Sequence, residues 1–115
     1  MKNGRYEENG VTYWYKDDVF HREDGPAVYG YGSQQWYLDG KLHRVGGPAR
    51  KLATGITEWW ANGLLHRLDG PARIRLDGTT EWRVDGRRVD IATILGYEPS
   101  VPLTEEEQMI LRLNV

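Results

Sequence analysis

The chain contains no cysteine, so disulfides and thiolate metal sites are excluded and a reducing compartment is allowed. No apolar run approaches the ~20 residues that a transmembrane helix needs. Charge of one sign is also missing. Fifteen Lys and Arg stand against 17 Asp and Glu, for a net charge of −2, which gives no electrostatic reason to expect general nucleic-acid or anionic-membrane binding. The opening segment, MKNGRYEENG, lacks the apolar core of a signal peptide, so the expected location is the cytoplasm. There is no Gly-rich phosphate loop, no nucleophile elbow and no helix with paired carboxylates. The expectation is therefore a non-enzyme with no cofactor.

What is present is unusual in kind. The 115 residues include 5 Trp and 7 Tyr against a single Phe, and 14 Gly. Trp and Tyr join an apolar body to a polar tip and suit half-buried sheets and interfaces. The length suits one small domain with a limited core. An internal repeat organises these residues. Trp14, Trp36, Trp59 and Trp82 are spaced by 22, 23 and 23 residues. His21, His43 and His66 keep the same step, as do Gly25-Pro26, Gly47-Pro48 and Gly70-Pro71. The units read WYKDDVFHREDGPA, WYLDGKLHRVGGPA and WWANGLLHRLDGPA. A fourth, EWRVDGRRVD, starts in register and then departs, with Val89 in the histidine position and no Gly-Pro after it.

Asp39-Gly40, Asn62-Gly63 and Asp85-Gly86 are strong signals for two-residue type I′ hairpins, and Asp17-Asp18 is a weaker one. A second turn between units falls at Gly32, Gly55 and Asp77-Gly78. Proline lacks a backbone N–H, which places each Gly-Pro at a corner or edge. The expected fold is all-β: an antiparallel hairpin meander of roughly eight short strands in a single curved sheet. Residues 1–90 would form this repeat domain. Residues 91–115 read as a helical tail that packs on or caps the sheet. Asp90 caps a short helical turn stopped by Gly96, and Thr104 with Glu107 forms a capping box.

The combination of aromatic residue, Asn/Asp-Gly turn, Lys-Leu-His and Gly-containing corner resembles MORN repeats. It is closer still to the variant repeats, rich in HR-DGPA, of bacterial and bacteriophage proteins grouped near a toxin–antitoxin-associated MORN family. The resemblance covers about Tyr13 to Asp90. The longer corner and the helical tail depart from an ordinary MORN unit. The resemblance implies an extended hairpin sheet used as a protein-docking surface. It also implies an antitoxin, or an inhibitor that blocks a toxin or host protein.

Three evenly spaced histidines suggest a metal site, but equivalent positions in successive hairpins lie about 9.5 Å apart and one zinc ion cannot reach them all. The hairpin register instead pairs Trp14 with His21, Trp36 with His43 and Trp59 with His66, a structural ladder in which Trp36 and Trp59 should be well buried. Arg22, Arg44 and Arg67 follow the histidines. A local contact fixing the corner is one reading, and a row of guanidiniums sequestering a nucleotide-like ligand is the other. Alternation puts Tyr15, Phe20, Tyr37, Leu42, Trp60, Leu65, Arg83 and Arg88 on the opposite face. That face is the expected partner site, for another protein or for a second copy of this chain.

Overall fold

The computed structural model describes residues 1–115. It contains fourteen short strands and two helices. The chain opens with β1 (Gly4–Glu8), β2 (Val11–Lys16) and β3 (Val19–Phe20). The second unit contains β4 (Val28–Gly30), β5 (Ser33–Gln35), β6 (Tyr37–Leu38) and β7 (Lys41–Leu42). The third contains β8 (Arg50–Lys51), β9 (Thr57–Glu58), β10 (Trp60–Ala61) and β11 (Leu64–Leu65). The last contains β12 (Arg73–Ile74), β13 (Thr80–Val84) and β14 (Arg87–Val89). The fold is all-β and antiparallel, with a helical tail, and measures 50 × 28 × 19 Å.

The strands form more than one continuous ladder. Ten belong to one sheet, in the order β1-β2-β4-β5-β8-β9-β12-β13-β14 with β3 paired to β2. Hairpins β6–β7 and β10–β11 stand outside it. The break falls at Trp36 and Trp59, where each long strand leaves the main sheet and enters its hairpin. Neighbouring hairpins remain joined by sparser bonds: Arg22 N–H to Tyr37 O, Arg44 N–H to Trp60 O and Arg67 N–H to Arg83 O. β1 lies outside the repeat read from sequence, and it pairs along its whole length with β2 through an Asn9-Gly10 turn. Asp39 and Gly40, at φ 48° and 78°, show why Asp-Gly occupies the hairpin tips: both turn residues are left-handed.

Packing on the Trp face alternates large with small. Ala27 lies in the ladder between Trp14 and Trp36, Ala49 between Trp36 and Trp59, and Ala72 between Trp59 and Trp82. The three alanines are 0% exposed, whereas the four tryptophans are only half-buried. The expected deep burial of Trp36 and Trp59 is corrected accordingly. A single-layer sheet has nothing to lay over the rings except a side chain from its own corner. That side chain is arginine. The guanidinium carbons of Arg22, Arg44 and Arg67 sit 4.4, 4.0 and 3.9 Å from the ring centroids of Trp14, Trp36 and Trp59. A Cβ on Gly25, Gly47 or Gly70 would come within 2.9 Å of the same guanidinium. Each arginine thus lies between an indole and a glycine, and a side chain at the corner would push the guanidinium aside.

The fourth Trp has no arginine and is covered by the tail instead. Asp90 caps α1 (Ile91–Leu95), which ends at left-handed Gly96. Thr104 and Glu107 close a capping box on α2 (Glu105–Leu113). Val84, Val89, Ile91, Leu103 and Leu111 form the only cluster of large buried apolar side chains, with Trp82 and Leu68 packed against it. Leu103 N–H bonds to Asp69 O at 2.8 Å, so the tail docks on the third corner as well.

Candidate functional site

Each histidine joins one repeat to the next. Nδ1 of His21, His43 and His66 accepts the backbone N–H of Asp39, Asn62 and Asp85 at 2.9, 3.0 and 2.9 Å. The left-handed first turn residue turns that N–H away from the ladder, and the following glycine takes the strand carbonyl in its place, as Gly40 does from Phe20. A ring nitrogen that accepts in this way carries no proton of its own. No group of three or more His, Asp or Glu side chains converges in metal-binding geometry. Burial pushes the His66 pKa below the ordinary 6.5, with Arg112 adding to the effect and Asp85 opposing it. A histidine whose folded-state pKa is depressed contributes stability that is complete above its unfolded value. That contribution is lost as pH falls through the folded value. The melting temperature is expected to fall between pH 7.5 and pH 5, and His66→Phe should flatten that slope while lowering stability at pH 7.5 by about 1 kcal/mol, one lost hydrogen bond. Thermal melts across this range check it, and an unchanged slope in the variant would assign the pH dependence to other groups.

The corner arginines are similarly occupied. Nη1 of Arg22, Arg44 and Arg67 donates to the carbonyl of Pro26, Pro48 and Pro71 at 3.2, 3.1 and 3.2 Å. Nε of Arg22 and Arg67 donates to Asp24 and Asp69 at 3.0 and 2.8 Å, while the middle unit has Gly46 in place of the acid. The row serves the corners.

The opposite face, the Tyr face, brings most of the expected partner residues together. Tyr15 pairs with Phe20, Tyr37 with Leu42, Trp60 with Leu65 and Arg83 with Arg88. Both helices pack on the Trp face, against Trp82, Val84 and Val89, and leave this one uncovered. Leu65 is only 7% exposed and supports Trp60 from within. It is withdrawn as a contact residue.

The structure adds a second row, because offsets on either side of each Trp point the same way. Tyr13, Gln35, Glu58 and Glu81 line up beside Tyr15, Tyr37, Trp60 and Arg83. Tyr13 lies 6.3 Å from Tyr15 and 5.8 Å from Phe20, and Phe20 lies 5.2 Å from Tyr37, centroid to centroid. Tyr6, on β1, stands edge-on to Tyr15 at 5.4 Å. The other half of the face is ionic. Glu58, 3% exposed, accepts from Trp60 Nε1 at 3.0 Å and from Arg73 at 2.7 Å, and lies 3.3 Å from Arg50 Nε. Glu81 binds Arg73, Arg75 and Arg83, and chiefly the Arg83 bond holds its carboxyl down to about 2. The face thus changes from stacked rings to guanidiniums along the sheet.

No helix is long and apolar enough to cross a membrane. No family model, curated protein or solved structure matches the chain.

Proposed function

We propose that the chain is a non-catalytic protein-interaction module that binds its partner on the Tyr face. One observation carries this reading: a stripe of aromatic rings in contact from Tyr13 to Tyr37 gives way to a row of arginines on the sheet face that neither helix covers. Aromatic residues and arginine are the types enriched at binding hot spots. The histidines and corner arginines, the other candidates for chemistry, are engaged in joining repeats and fixing corners. The resemblance to MORN repeats agrees with a docking surface, and it extends the proposal to a cytoplasmic antitoxin or an inhibitor of a host protein in a bacterial or phage setting.

The test is stoichiometric capture of a partner from the source cell. Tyr37→Ala and Phe20→Ala should each weaken the captured complex by more than about 1 kcal/mol. Met109→Ser, on the exposed side of α2, should leave it unchanged. Capture that is lost with Met109→Ser and kept with both Tyr-face variants would move the site to the tail.

A further inference from the structure

The charge on the Tyr face is not balanced. Arg50, Arg73, Arg75, Arg83 and Arg88 share its C-terminal half with Glu58 and Glu81, and Asp77 lies at the turn beside Arg75. The chain as a whole is negative, so this surplus of guanidinium is local. The two glutamates are already saturated. Glu81 is shared among three arginines, and Arg50 Nε, though buried, makes no hydrogen bond. Arg88 is exposed and forms no ion pair, although it lines a cleft with Asp90 and Glu98. Arginine presents a fork of N–H donors that matches carboxylate geometry.

The N-terminal half is aromatic, with Lys2 Nζ over the Tyr6 and Tyr15 rings at 5.8 and 4.9 Å. Tyr13 stacks on both Tyr15 and Phe20, with ring planes 28° and 18° apart. Tyr15 is further tilted against Phe20 at 42° and carries Lys2 Nζ, so the ring faces at this end are partly taken by neighbours. A nucleobase needs a free ring face to stack on. An aliphatic side chain does not. Beside the rings, Tyr15, Asp18, Val19, Phe20 and Gly40 line a cleft of ≈ 230 Å³, a size suited to one such side chain.

From these observations we infer that the Tyr face takes an acidic peptide segment, with aliphatic side chains at the Tyr15–Phe20 cleft and carboxylates over Arg75, Arg83 and Arg88. This rests on the proposed docking function and names its partner's chemistry. Tyr15 and Arg83 are six strands apart, or about 28 Å, which an extended peptide of about nine residues spans.

The experiment is fluorescence anisotropy with labelled peptides of that length, leucines at one end and glutamates at the other. The comparators are the same peptide with lysine for glutamate, and an oligothymidylate of equal length. The acidic peptide is expected to bind at least about tenfold more tightly than the lysine peptide. Arg88→Glu should abolish that preference. The Arg88 side chain is exposed and forms no ion pair or hydrogen bond, so this variant reverses a charge beside Arg83 without removing a side-chain contact. Phe20→Ala should weaken the acidic peptide while leaving its response to salt unchanged. Equal binding of the two peptides, binding of neither, indifference to Arg88→Glu, or tighter binding of the oligothymidylate would each overturn the inference. A partner captured on the Tyr face through a neutral or basic segment would do the same, yet leave the docking function standing.

Discussion

Trp59→Ala is expected to lower the unfolding free energy by about 3 kcal/mol, the low end of the range for a buried aromatic. Trp60→Ala, one residue later, is expected to cost about 1 kcal/mol, the scale of one lost side-chain hydrogen bond. The difference comes from what each ring holds in place. The Trp59 indole has Arg67 stacked on it at 3.9 Å and lies between Ala49 and Ala72, both fully buried. Removing it leaves a void over both alanines and takes the support from a guanidinium that also holds Pro71 O. Trp60 donates to Glu58 and rests on Leu65, but no residue from another layer covers it. Urea denaturation of the two variants side by side makes the comparison. Equal midpoints, or a larger loss for Trp60→Ala, would mean that the Trp–Ala–Arg spine is not what holds the repeats together.

The repeat architecture was legible because its signals are local and recur. Asn/Asp-Gly tips fix the hairpin register within a few residues. That register in turn puts Trp59 opposite His66, a pairing seen in the His66 N–H to Trp59 O bond. The tail was legible for the same reason, since a capping box is a pattern of four residues. What escaped depends on contacts between units. β1 lies outside the period, although its Asn9-Gly10 turn carried the usual signal. The arginine's place on the indole follows from the corner doubling back, which spacing alone does not reveal. The Glu58–Arg73 and Glu81–Arg83 network needed only one further step of alternation, from the residue after each Trp to the residue before it. Tertiary placement also decides which of the Tyr-face residues a partner can reach: Leu65 and Leu42 carry the same sequence signal, yet only Leu65 is buried.

Leu111→Ala is expected to cost about 3 kcal/mol, within the range for a buried leucine, while Leu113→Ala two residues away should stay within about 0.5 kcal/mol. Leu111 is 0% exposed at the centre of the tail cluster, and Leu113 is 79% exposed. The effect of Leu111→Ala should also be unevenly distributed. Each repeat touches only its neighbours, so stability in such an array is close to a sum of local terms. The tail contacts the third corner through Leu103 and Asp69, and the fourth hairpin through Trp82, Val84 and Val89. It also reaches the last turn through Arg112 and Asp85 at 3.1 Å. None of these contacts involves the first two units. Loosening it uncovers Trp82, the one spine tryptophan with no arginine to take the tail's place. Amide exchange in Leu111→Ala should therefore accelerate in β13 and β14 well before it does in β2 and β4. If exchange rose equally in all four strands, the protein would be unfolding as a single unit and the tail would not be a local cap. If β13 and β14 kept their full protection, the cluster around Leu111 would not be what holds the last hairpin.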